Sequence, residues 1–241
     1  MKLAILADIH GNAVALKKVL KDIQQEGINQ FIVLGDIVMI GPEPATVFGV
    51  IKDLNPLCWI KGNTDIWLEK FGYDREPVTP REKELYGFLS FAKTKLTYDE
   101  IALLKRLPIK MSLALGSTMV LCVHGSPRSV SEIMDGRVPI KEMEQMVKGV
   151  EETIVLSGHS HVPYVGEVGG KHIFNVGSIG RPLDGNTSAS YGILDISLSS
   201  RPQFTIRRIN YSVTDTIRMA RKLSFPNIEK YEYSLLNATL P

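Results

Sequence analysis

The sequence predicts an α/β (α+β) fold, two sheets face to face with helices outside them, on three observations. Its first part repeats a short apolar strand, a polar loop and an amphipathic helix, the signature of a largely parallel sheet. Its later part carries hairpin signals, short strands joined by Gly-Ser or Gly-Gly turns. Between them, residues 66–107 hold helix-capping signals and helical spacing with no strand pattern.

The elements follow in order. Leu3-Ala4-Ile5-Leu6-Ala7 reads as a buried strand, broken by Gly11-Asn12. Ala13, Leu16, Leu20 and Ile23 recur at helical spacing, so a helix is expected over 12–26, closed by Gly27. Phe31-Ile32-Val33-Leu34 is a second strand ending in Gly35-Asp36. A helix over 45–54 and a third strand, Cys58-Trp59-Ile60, lead to Gly62-Asn63-Thr64-Asp65. Thr79-Pro80-Arg81-Glu82 and Thr97-Tyr98-Asp99-Glu100 read as capping boxes, and the region is expected to be a helical insertion or cap. Hairpins are expected at 111–123, turning at Gly116-Ser117, and at 164–176, turning at Gly169-Gly170. A helix at 139–147 and a strand at 153–156 fall between them. Residues 190–196 and 203–209 read as an antiparallel pair, followed by a helix near 215–223 and a polar tail. The expected organisation is a single domain, 1–241.

Bulk properties narrow the function classes. The 241 residues are 44% hydrophobic, which supports a sizeable core. The 28 basic and 26 acidic residues leave a net charge of +2, so no electrostatic argument favours nucleic acid. Cys58 and Cys122 lie in apolar runs and read as reduced, buried thiols. That excludes a disulfide scaffold and fits a cytoplasmic protein. The N-terminal apolar run is interrupted by Asp8 and His10, unlike a signal peptide or membrane span.

The chemistry lies at the strand ends. The chain has 5 histidines, and His10, His124, His159 and His161 all sit in loops after apolar runs. In an extended backbone, residues i and i+2 point to the same side. Asp8 with His10, and His159 with His161, are therefore expected to present paired ligands. With Asp36 and Asn63 they form a set of oxygen and imidazole donors suited to Mn, Fe, Zn, Co or Ni. The set is too large for one tetrahedral ion and suits two divalent ions sharing a carboxylate. Such a centre would attract phosphate and make hydroxide available near neutral pH. Taken singly, Asp36 after Gly35 reads as a turn residue and His124 as a structural histidine. The joint occurrence after strands decides for metal. His172 reads as structural or surface, and Ser178 as a turn donor rather than a nucleophile. Arg181 is a candidate phosphate clamp or a solvated loop arginine.

The ordered blocks Asp8-Ile9-His10, Gly35-Asp36, Gly62-Asn63-Thr64-Asp65, His124 and Gly158-His159-Ser160-His161 resemble the calcineurin-like metallophosphoesterases, within them the small bacterial and archaeal phosphodiesterase group. The resemblance extends to about residue 200 and includes Asn175-Val176-Gly177-Ser178-Ile179-Gly180-Arg181-Pro182, a stretch that borders the active site in that group. It implies an αββα sandwich and a hydroxide bridging two divalent metals that hydrolyses phosphate esters, most readily phosphodiesters, of a small soluble substrate. It assigns Asp8, His10, Asp36 and His161 to one ion, with Asp36 bridging to a second held by Asn63, His124 and His159. Asp65 is a candidate supporting residue, and Asn12, Asn63 and Arg181 are candidate substrate contacts. Nucleotide or dinucleoside polyphosphate hydrolysis, protein phosphatase activity and a non-catalytic scaffold are the alternatives. One departure stands out: many relatives carry a His where this chain has Thr64, and a threonine hydroxyl is no general acid near neutral pH.

Overall fold

A computed structural model describes residues 1–70, 77–197 and 202–241. Two mixed five-stranded sheets face each other, with helices on their outer sides. The first sheet is built from β1 (Lys2–Leu6), β2 (Phe31–Val33), β3 (Cys58–Trp59), β9 (Ala189–Asp195) and β10 (Gln203–Ile209), in the order β10-β9-β1-β2-β3. The strands β1, β2 and β3 are parallel, while β9 and β10 run antiparallel to their neighbours. The second sheet holds β4 (Lys110–Leu115), β5 (Thr118–Val123), β6 (Ile154–Ser157), β7 (Tyr164–Val168) and β8 (Lys171–Asn175), in the order β4-β5-β6-β8-β7. Its hairpins β4–β5 and β7–β8 are antiparallel, and β5, β6 and β8 run parallel.

Three apolar layers follow from strand alternation. Leu3, Ile5 and Ala7 of β1 and its extension point inward, toward Val120 and Cys122 of β5 and Phe174 of β8. Ala4 and Leu6 point outward, into a layer shared with α1 (Ala13–Gln25) and α2 (Pro44–Asp53). The second sheet buries Leu121, Val123 and Val155 under α6 (Ile140–Met146). Cys58 and Cys122 are free thiols in the layer between the sheets.

The helical stretch begins with α3 (Asn63–Lys70), so Asn63 opens a helix rather than lying in a loop. Next come α4 (Pro80–Lys95) and α5 (Tyr98–Arg106), both opened by complete capping boxes at Thr79/Glu82 and Thr97/Glu100. Their Phe88, Leu89, Ala92 and Leu104 join the outer layer of the first sheet. Residues 71–76 of the expected insertion lie outside the described residues.

The expected polar tail is corrected by the structure. After α7 (Val213–Lys222), a further helix, α8 (Ile228–Asn237), closes the chain. Its Tyr231 and Leu235 are buried beside Ile217 and Phe225. Ile228, Tyr231 and Leu235 recur at i, i+3 and i+7, a helical spacing already present in the sequence that gives this short helix one apolar face to pack. Among the described residues, no helix is long and apolar enough to cross a membrane.

Candidate metal centre

Every expected ligand follows the carboxyl end of a strand, and both sheets contribute. Asp8 and His10 follow β1, Asp36 follows β2 and Asn63 comes after β3. From the other sheet, His124 follows β5, and His159 and His161 follow β6. The two sheets thus bring their loops to one edge of the sandwich. The loops are woven together by backbone bonds. Asp8 N–H donates to Gly35 O at 3.1 Å, His10 N–H to Asp36 O at 2.9 Å, and Gly158 N–H to His124 O at 2.8 Å.

The side chains meet around Asp8 Oδ1. It lies 3.2 Å from His161 Nε2, 3.8 Å from His10 Nε2 and 3.9 Å from His124 Nε2. Asp36 Oδ2 lies 3.8 Å from His10 Nε2 and 3.4 Å from His124 Nε2, between the same two rings. Asn63 Oδ1 faces His159 Nδ1 at 2.7 Å and His124 Nε2 at 3.1 Å. Two groupings able to hold an ion result, Asp8-His10-His161 and Asp8-Asp36-His124.

The route to this convergence differs from the extended-backbone expectation. Asp8, His10, Asp36, His159 and His161 all have positive φ, at 52°, 47°, 55°, 65° and 58°. For residues bearing a Cβ this left-handed conformation costs roughly 1–2 kcal/mol each. The ligand pairs converge because tight turns fold them together, not because a strand alternates them. Gly62 is required by close approach: a Cβ there would stand 2.1 Å from Asp36 Oδ1 and 2.7 Å from the His124 ring.

The environment orients each imidazole. His10 Nδ1 donates to Met39 O at 2.9 Å, His124 Nδ1 to Leu34 O at 2.6 Å, and His161 Nδ1 to Arg181 O at 2.6 Å. A carbonyl can only accept, so each Nδ1 carries the proton and each Nε2 is directed at the centre. Burial and the neighbouring His161 hold His10 down at about 4, so it is neutral at neutral pH. Burial opposes charge on His124, but the Asp36 and Asp8 carboxylates override it and push that ring up to about 10. Asp36 itself is held low against burial by His124 and by its own hydrogen bonds, one of them from Thr64 N–H at 2.9 Å. Asp65 is buried, and burial together with Asp36 raises it to about 7. Its Oδ2 accepts the backbone N–H of Asp36 at 2.7 Å and of Gly62 at 2.9 Å, so it steadies the Asp36 turn.

The donor set fits divalent cations. Asp8 Oδ1 is fully buried, yet it has no hydrogen-bond partner among the described residues. A carboxylate oxygen left so costs at least about 1–3 kcal/mol. His10 Nε2 and His161 Nε2 face each other at 3.1 Å with both Nδ1 protons directed elsewhere. A cation placed between them would take a lone pair from each ring.

A model of the calcineurin-like phosphoesterase superfamily domain matches residues 1–199. The chain belongs to the calcineurin-like phosphoesterase superfamily. This phosphoesterase is 30% identical over 210 residues to the uncharacterized protein MJ0912 of Methanocaldococcus jannaschii, covering 80% of this chain and 82% of that one. It is 25% identical over 198 residues to the phosphodiesterase YfcE of Escherichia coli K12, covering 81% and 88%. The crystal structure of a metallophosphoesterase from Sphaerobacter thermophilus matches it with a TM-score of 0.80 at 25% identity, over 99% of each chain. The superfamily phosphoesterase is therefore a hydrolytic enzyme.

The candidate substrate contacts of this phosphoesterase diverge. Asn12 is buried and caps α1: its Oδ1 accepts from Ala15 N–H and Thr216 Oγ1, and its Nδ2 donates to Gly180 O. Those bonds engage both the oxygen and the nitrogen of its amide. Arg181 is half-buried, and its Nε donates to Ser234 Oγ of α8 at 3.0 Å. The part of Arg181 that touches the ligand set is its carbonyl, on His161. Asn63 and His159 are half-buried, at the open side of the centre. The carbonyls of Leu34, Met39 and Arg181 carried no signal in the sequence, because any side chain supplies a carbonyl.

Proposed function

We propose that this phosphoesterase uses two divalent ions to hydrolyse phosphate esters of a small soluble substrate, phosphodiesters most readily. Asp8, His10, Asp36 and His161 hold one ion in this reading. Asn63, His124 and His159 hold the other, with Asp36 between them. The observation that carries it is the convergence of three imidazole Nε2 atoms on the unpartnered, buried Asp8 Oδ1. Once bound, the ions supply Lewis acidity, drawing in phosphate and making water acidic enough to attack near neutral pH.

The protein's own part is to hold charge and geometry. The Asp8 and Asp36 carboxylates balance part of the cationic charge and leave an excess for phosphate. The carbonyls of Leu34, Met39 and Arg181 keep the imidazoles in the tautomer that binds metal. Asp65 holds the turn that carries Asp36. The phosphodiesterase name of YfcE, 25% identical, supports a diester.

The test is metal analysis with an aryl phosphodiester assay on the purified chain. Wild type is expected to hold two divalent ions and turn over the ester. The D36N variant is expected to lose both, with at least about a hundredfold lower activity. Wild-type turnover by D36N would overturn the bridging role.

A further inference from the structure

The loop carrying His159 and His161 is held partly by its own bonds, Ser160 Oγ donating to Val162 O and accepting from Val162 N–H, and partly from outside. Both histidines are left-handed, at φ 65° and 58°, with only Ser160 between them. Within the turn, Ser160 N–H reaches back to Gly158 O at 2.7 Å. From outside the turn, Asp8 Oδ2 accepts His159 N–H at 2.8 Å, and the side chain that reaches the turn on both sides of His159 is that of Asn175, at the end of β8.

Asn175 is fully buried beneath the loop, on the outer face of the second sheet that also carries Ile173. Its Nδ2 donates to Gly158 O at 2.7 Å and to Ser160 Oγ at 3.1 Å, one acceptor on each side of His159. The same amide lies 3.3 Å from Met134 O, in the loop before α6. Its Oδ1 accepts from Gly177 N–H at 3.0 Å, which fixes which way the amide faces. From Gly177 the chain continues as a strap behind the other ligand loop. Ser178 Oγ donates to Asp8 O at 2.7 Å and Gly180 N–H to Asp8 O at 3.0 Å, while Arg181 O takes the Nδ1 proton of His161. One short segment thus touches the Asp8 turn, the His159 turn and the His161 ring.

We propose that Asn175 is a positioning residue of the metal centre, acting on the His159–His161 turn. Its amide clamps Gly158 and Ser160, sets the aim of His159 and His161, and is the anchor from which residues 177–181 brace Asp8. An amide is the chemistry this needs. It donates to carbonyl and hydroxyl oxygens with one atom and accepts a backbone N–H with the other. An aspartate of the same shape would set a carboxylate oxygen against Gly158 O and Met134 O. The proposal rests on the metal reading above, and the experiment separates the two.

The experiment is cobalt(II) titration of the metal-free full-length chain, followed by visible absorption and calorimetry, with a melting curve for every variant. Wild type is expected to bind cobalt. If it does not, the metal reading fails before Asn175 is tested. Given wild-type binding, N175A and N175D are expected to bind about 10–100-fold more weakly, as losing a group that orients ligands does. Their cobalt absorption bands are expected to change as well. S160A, which deletes one of the clamp's acceptors together with the Ser160 Oγ bonds to Val162, is expected to fold and to lose less affinity. A structural role alone would lower the melting temperature and leave cobalt affinity and spectrum as in wild type. That result in N175A, or in S160A and N175D together should N175A not fold, overturns the proposal.

Discussion

Asp8 Oδ1 is the atom around which the ligand loops gather, and the backbone that delivers it has no slack. Gly41 packs against the next ligand so closely that a Cβ would stand 1.7 Å from His10 O. The obstacle is backbone and cannot rotate away. A G41A variant is therefore expected to displace His10 and lower activity by at least about tenfold, with a smaller effect on melting temperature. Kinetics beside a melting curve checks this, and unchanged kinetics would show the loop to be pliable. Thr64 is a second residue-scale case. Its N–H serves Asp36, and its hydroxyl is buried without a partner among the described residues. With no acid at this position, turnover is expected to depend on the leaving group. Aryl phosphodiesters should be cleaved far faster than alkyl monoesters, and comparable rates on the two would count against this.

Between elements, the clearest link joins α1 to the antiparallel edge of the first sheet. Arg207 of β10 donates to both oxygens of Asp22, and Tyr191 of β9 donates its hydroxyl to the same carboxylate at 2.7 Å. The hydrogen bonds from Arg207, more than any other cause, hold Asp22 below the usual carboxylate range. A depressed carboxylate pKa adds stability above the unfolded value near 4 that is lost as pH falls through the folded value. Replacing Asp22 by Asn is expected to cost about 1 kcal/mol at pH 7, since the site is partly screened by solvent. The gap from wild type should close below about pH 4. Urea unfolding across that range is the measurement, and a pH-independent gap would remove the ion pair from the account. The capping boxes at Thr79 and Thr97 show the opposite case, where the element's beginning is written in four consecutive residues.

Across the whole molecule, α8 changes how the chain end is understood. Leu235 and Tyr231 lie in the same apolar cluster as Leu16 of α1, Phe48 of α2 and Phe88 of α4. We propose on this ground that residues 1–241 unfold as one domain, the helical region 66–107 included. Replacing Leu235 by Ala is expected to cost about 2–4 kcal/mol, as a buried leucine typically does. It should shift a single cooperative transition rather than detach a C-terminal step. A two-step melt would show α8 to be an independent appendage.

Local sequence determined the strands, the first helices, the capping boxes and the candidate ligand side chains that meet at the centre. Those are properties of short windows: apolar runs, helical spacing, Gly-bounded polar ends. Asp8, His10, Asp36, Asn63, His124, His159 and His161 could be picked out because they follow such runs, without knowing how they would be brought together. Tertiary structure alone decided the left-handed turns that aim them, the carbonyls that orient the imidazoles and the clamp of Asn175. These depend on partners outside the local window, as Asp8 O does on Ser178, 170 positions along the chain. A window of sequence reports what a segment prefers by itself; the fold decides which strained or weakly preferred conformation its distant neighbours will hold in place.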